Sequence, residues 1–122
     1  MKKLIVSIKS SSQTLSEFKR ALKDARRGKL KGDYFEISFD NKKDFDRFAK
    51  NLGVLSAILT HKPKSIYELS KLIDMDVSNL NKLIAFFESV GAIKIKTSQE
   101  SGRAVKTPIV EYGQVEFDLR AA

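Results

Sequence analysis

The sequence predicts a mixed α+β fold, and two patterns in its 122 residues carry that prediction. Near both ends of the chain apolar and polar residues alternate, the period of a half-buried strand, whereas in the middle apolar residues recur every three or four positions, the period of a helix. The punctuation agrees with the periods: Ser, Thr, Asp or Asn opens each helical stretch, and Gly or Pro stands near the close of all but the short one that ends in "DMD".

The elements follow in order. "LIVSIK" (4–9) alternates and predicts a strand. Thr14 and Glu17 form a capping box at the head of a helix whose apolar face is Leu15, Phe18, Leu22 and Ala25, and Gly28 closes it. "YFEISFD" (34–40) sets Phe35, Ile37 and Phe39 on one side of a second strand. The first forty residues are therefore expected to be a small β-α-β element.

Asp40 or Asn41 can cap the next helix, along which Phe45, Phe48, Leu52, Leu55 and Leu59 recur; one long helix and a break at Asn51–Gly53 both fit. After Pro63, Ser65 caps a short helix with Glu68 three residues on and Ile66, Leu69, Leu72 and Ile73 as its buried stripe. "DMD" turns the chain. The following helix begins near Val77, buries Val77, Leu80, Leu83, Ile84, Phe87 and Val90, and stops at Gly91. "AIKIKT" (92–97) and "RAVKTPIV" (103–110) are expected strands of a hairpin joined by "SQESG", and "VEFDL" (115–119) a last strand. Helices ending in a short helix, a tight turn and a second helix, with a hairpin behind them, have the element order of a winged helix-turn-helix. Residues 1–40 then form the N-terminal element, a candidate dimer or partner surface, and 41–122 the winged-helix domain.

Composition narrows the function. With no cysteine the chain offers neither a disulfide framework nor thiol catalysis nor a cysteine zinc site. Its one histidine, His61, falls where a helix should end. Catalysis, metal and cofactor are therefore not expected, and the paired acids Asp74 and Asp76 fit helix caps better than catalysts. The apolar run Leu4–Ile8 is too short for a signal sequence or a membrane span, so a cytoplasmic protein is expected. The net charge of +8 favours polyanions, and its surplus lies early: 14 Lys/Arg against 7 Asp/Glu in residues 1–60, but 9 against 8 in 61–122.

A winged helix reads duplex DNA by laying its last helix in the major groove while the hairpin meets phosphates. On that helix the face opposite the apolar stripe collects Ser78, Asn81, Lys82, Ala85 and Ser89, with Asn79 on its flank, and no carboxylate points straight outwards, Glu88 lying nearer the apolar edge. Ser78, Asn79, Asn81 and Lys82 are the candidate base-reading residues, since Asn matches adenine bidentately and Lys a guanine edge. Lys94, Lys96, Arg103 and Lys106 are the candidate phosphate contacts of the hairpin. A merely solvated helix face is the alternative. Phe86 stands off the main stripe, toward the β-α-β half, a second copy or the core.

From about Asp33 to Leu119 the chain resembles a family of predicted prokaryotic transcriptional regulators, MarR-like winged helix-turn-helix proteins, some of them antitoxins encoded beside a small toxin gene. "FEISFDNKKDFDRF", "SIYELSKLIDMDVSNLNKLIAFFESVGAIKI" and "TPIVEYGQVEFDL" carry the resemblance. It implies that Ser78, Asn79, Asn81 and Lys82 read bases and that "KIKTSQESGRAVK" is the wing. Relatives often carry His or Arg where this chain has Leu80, Asn81 or Lys82, so a target sequence does not transfer, and Gly113 replaces an expected aspartate. The function expected is repression of transcription on duplex DNA, as a homodimer, with a toxin as a candidate protein partner; a protein-interaction module on a winged-helix scaffold is the alternative. Arg26, Arg27 and Lys29, in the basic run 19–31, are the candidate partner surface, with phosphate contact or plain solubility as the other readings.

Overall fold

The computed structural model describes residues 2–8 and 34–120. Among them the fold is mixed α+β. Strands β1 (Lys2–Ile8) and β2 (Tyr34–Phe39) are followed by helices α1 (Lys42–Lys50), α2 (Leu52–His61), α3 (Ile66–Leu72) and α4 (Val77–Ser89), then by strands β3 (Lys94–Glu100), β4 (Arg103–Ile109) and β5 (Tyr112–Asp118). The helix expected over residues 14–28 lies outside the described residues. The helical stretch after Asn41 is broken at Asn51, which separates α1 from α2. No helix among the described residues is long and apolar enough to cross a membrane.

The chain divides into two compact units, Met1–Ala49 with Tyr112–Ala122, and Lys50–Glu111. This differs from the boundary expected at residue 40, because α1 and the last strand belong with the N-terminal sheet. In the first unit β1 lies between β2 and β5, parallel to both. Register places Leu4 between Phe35 and Val115, and Val6 between Ile37 and Phe117. A central strand is covered from both sides, and Leu4 and Val6 are fully buried. Asn41 caps α1 through a 2.8 Å bond from the Asp44 N–H. The helix brings Phe45 to 5.7 Å from the Phe117 ring and Phe48 to 5.9 Å from Phe39. On the other face of the sheet the buried Ser7 hydroxyl meets that of Ser38 at 3.2 Å, so each satisfies the other.

The core of the second unit gathers Val54, Leu55 and Ile58 from α2, Ile66 and Leu69 from α3, Leu80, Leu83, Ile84 and Phe87 from α4, and Ala92 and Ile93. Helix α3 packs on α2, α4 and β4. Ser65 caps it, accepting the Glu68 N–H at 3.0 Å. Its far end closes on Asp74, whose φ of 53° reverses the chain so that the Met75 N–H reaches the Ser70 carbonyl at 3.0 Å. Helix α4 ends the same way at Gly91, φ 88°, with the Ala92 N–H on the Phe87 carbonyl at 2.9 Å.

Two residues assigned to the buried stripes are instead open: Leu72 is 48% exposed and Val77 39%. The buried arc of α3 centres on Ile66, Leu69 and Ser70, and at about 100° per residue Leu72 stands well outside it. Val77 is the first residue of α4, ahead of the arc that Leu80 begins. Ile73 and Val90 are half-buried.

Candidate nucleic-acid interface

Asp76 fixes the start of α4: its carboxylate accepts the Asn79 N–H at 3.1 Å, satisfying one of the open donors of the first turn. With Leu80, Leu83, Ile84 and Phe87 turned inwards, Ser78, Asn79, Asn81 and Lys82 are all exposed. They share one end of the helix but not one line along it. At about 100° per residue Ser78, Lys82, Ala85 and Ser89 stand straight opposite the core, Asn81 turns to one flank, and Asn79 turns to the other with the half-buried Phe86.

The flank holding Asn81 faces the hairpin. Asn81, Ala85 and Glu88 line one groove with Ile95, Thr97 and Lys106. Glu88 lies near the apolar edge, as the sequence suggested, beside the buried Ile84, and it is exposed and shares the groove with Asn81. The straight-out face of α4 still carries no acid.

The hairpin divides its cations. Residues paired across an antiparallel ladder share a face, and the pairs Ile95↔Pro108, Thr97↔Lys106 and Gln99↔Ala104 form the face toward α4. Lys94, Lys96 and Arg103, paired with Ile109, Thr107 and Glu100, take the opposite face. The four expected phosphate contacts thus do not form one patch. The reason is the two-residue period of a strand: Lys94 and Lys96 fall together, whereas Arg103 and Lys106 are an odd number of residues apart. Lys94 is also partnered, its ammonium lying 2.6 Å from the Glu111 carboxylate. Among the described residues no ion pair holds Lys82, Lys96, Arg103 or Lys106.

One bond ties the hairpin to the helices, and its own pairing sets the tip. The Thr107 hydroxyl donates to the Lys64 carbonyl at 2.7 Å, tying β4 to the loop before α3. At the tip Glu100 pairs directly with Arg103, so the loop is only Ser101 and Gly102, at φ 53° and 78°, shorter than the five residues expected. Arg26, Arg27 and Lys29, the candidate partner surface, lie outside the described residues. The Glu88 groove and the Lys94–Glu111 pair were missed in the sequence; the strand period would have exposed the division of the cations.

Residues 49–117, more than half of the chain, match the family model HVO_A0114. No curated protein and no solved structure matches the chain. The matched span covers α2, α3, α4, the hairpin and most of β5.

Proposed function

The chain belongs to the HVO_A0114 family, and we propose that it is a sequence-specific duplex-DNA-binding regulator of the MarR-like winged-helix kind, a repressor acting by occlusion of a promoter without catalysis. One observation carries this reading: a capped helix of 13 residues, anchored by four buried side chains, holds Ser78, Lys82, Ala85 and Ser89 outwards with no acid among them, directly after a tight turn from a shorter helix. A solvated helix normally mixes both signs of charge, and acids there would repel phosphate. On this reading α4 enters the major groove, where Ser78, Asn79, Asn81 and Lys82 meet base edges, and the hairpin is the wing, with Lys96, Arg103 and Lys106 on phosphates. The charge is consistent but modest, 9 Lys/Arg against 6 Asp/Glu across residues 50–111.

One such domain covers a half-site, so the functional unit is a homodimer whose helices stand about 34 Å apart, one turn of DNA. A cytoplasmic antitoxin with a cognate toxin is the form of this function that the sequence resemblance suggests. Selection of bound sequences from random duplexes, followed by titration at several salt concentrations, tests the reading. A regulator enriches one motif and binds it more tightly than random DNA, with affinity falling as salt rises. Failure to enrich any motif rejects sequence-specific binding.

A second reading is favoured by exposed apolar side chains around the helix turn. Tyr67 is 53%, Leu72 48% and Val77 39% exposed, an arrangement suited to a protein-interaction module on the same scaffold. Substituting Leu72 and Val77 with serine leaves DNA binding intact if the first reading holds, and removes the protein partner if the second does.

A further inference from the structure

Between α4 and the hairpin lies an open groove of about 480 Å³. Its floor is formed by Ile66, Ile84 and Ile95, the first two buried. Its rim holds one acid and one base, Glu88 from the helix and Lys106 from β4, with the Asn81 amide and the Thr97 hydroxyl beside them. Among the described residues no ion pair within 4.0 Å holds either charge. Exposed acids and bases gain about 0–1 kcal/mol by closing on each other, so little draws these two together and the space between them stays open.

A ligand with a single charge is poorly served here. An anion drawn to Lys106 is repelled by Glu88, and a cation drawn to Glu88 is repelled by Lys106. A molecule carrying both charges satisfies both, and an apolar side chain on it gains from the isoleucine floor. The volume falls within the roughly 300–1,000 Å³ common for small-molecule sites.

We propose that this groove binds a small zwitterion of the amino-acid type with a branched apolar side chain, its ammonium at Glu88 and its carboxylate at Lys106 and the Asn81 amide, and that the bound molecule weakens DNA binding. The second half rests on the DNA-binding reading above, because Asn81 and Lys106 are there assigned to DNA. The first half stands without it. Glu88 makes the groove selective: it has no role toward DNA and would repel phosphate.

The test uses the full ¹⁵N-labelled chain, with L-leucine as probe and 4-methylpentanoate and 3-methylbutylamine as its single-charge counterparts. Leucine is expected to shift the amides of Ala85, Glu88 and Thr97 saturably at millimolar concentration, and the two counterparts are not. Glu88→Gln and Lys106→Gln should each weaken leucine binding at least tenfold while the remaining resonances hold their positions, which shows that the fold is kept. No saturable shift at these amides, or equal shifts from the single-charge compounds, overturns the site. In the DNA arm, leucine at about ten times its Kd for the natural chain should raise the apparent Kd for the selected duplex about tenfold in the natural chain, and by no more than about twofold in Glu88→Gln at the same concentration. If saturating leucine leaves DNA affinity untouched, the regulatory half is overturned. If leucine shifts the three amides but no duplex binds, the groove stands and the DNA-binding reading falls.

Discussion

The ammonium of Lys94 lies 2.6 Å from a carboxylate oxygen of Glu111, so this cation is already partnered inside its own unit. Its phosphate-binding value is reduced by the pair, since contact with DNA must either break it or bring the Glu111 charge along. Lys94→Ala is therefore expected to change duplex affinity less than Lys96→Ala, Arg103→Ala or Lys106→Ala. Each of the latter should lower the slope of log affinity on log salt by about 0.9 per lost contact. Titrations at four salt concentrations decide this, and an effect of Lys94→Ala as large as the others would remove the ion pair from the account.

The outward face of α4 makes a sharper prediction. Ala85 is exposed and stands between Ser78, Lys82 and Ser89, so a carboxylate placed there costs little folding stability and, on the proposed function, confronts DNA directly. Ala85→Glu should weaken specific and random duplexes together by at least tenfold. Asn81→Ala should instead cost about 1–3 kcal/mol on the selected site alone and relax the preference at one base pair. Equal losses on both kinds of DNA from Asn81→Ala would take that residue out of base reading.

Much of the fold was legible because local chemistry states it twice. Ser65 with Glu68, and Gly91 after α4, sit where capping rules place them, and β1 and β2 fall within a residue or two of the alternating stretches. What stayed illegible depends on partners distant in sequence. The alternation of Val115 and Phe117 is the same whichever strand they join, and nothing local to them says that β5 lies parallel beside β1. The exposure of Leu72 has the same origin: its stripe fits a helical period, but which arc is covered is set by the helices packed around it. Of the candidate site, the exposure of Ser78, Asn79, Asn81 and Lys82 was legible and the grouping of the hairpin cations was not, since the hairpin register decides which cation faces α4.

Asp76 holds the first turn of α4, where the proposed base-reading residues stand, through the Asn79 N–H. Asp76→Ala removes that acceptor and should cost about 1 kcal/mol of stability, whereas Asp76→Asn, which keeps an acceptor oxygen, should cost little. Urea unfolding monitored by circular dichroism measures both. If the Asn variant is as unstable as the Ala variant, charge at the helix N-terminus rather than the hydrogen bond is the stabilising element.

Phe87 and Val77 share a helix and an apolar character but not an environment. Phe87 is fully buried and Val77 is 39% exposed. Phe87→Ala should lose about 3–5 kcal/mol, a large share of the roughly 5–15 kcal/mol that holds an ordinary domain folded, while Val77→Ser should stay within about 1 kcal/mol. Thermal melts of the two variants check the contrast, and a large loss from Val77→Ser would return that residue to the core.

The hairpin tip couples backbone geometry to the proposed DNA contacts. Glu100 and Arg103 are paired, and Ser101 and Gly102 between them both adopt positive φ, 53° and 78°. Two-residue loops of this kind suit the twist of the flanking strands and favour Asn-Gly. A Cβ built on Gly102 meets nothing within 4 Å, so Gly102→Ala carries no steric cost beyond the dihedral itself, about 1 kcal/mol. Ser101→Asn, by contrast, places a residue tolerant of that region at the first turn position and should stabilise slightly. The functional consequence follows from register. A frayed tip loosens Arg103 first, the cation next to the loop, and Lys106 and Lys96, three and four rungs further down the ladder, less. Gly102→Ala should therefore reduce duplex affinity only while Arg103 is present, giving a double-mutant cycle in which Gly102→Ala and Arg103→Ala are strongly non-additive. Measured additivity would mean that the tip does not position Arg103, and that the cost of Gly102→Ala is confined to stability.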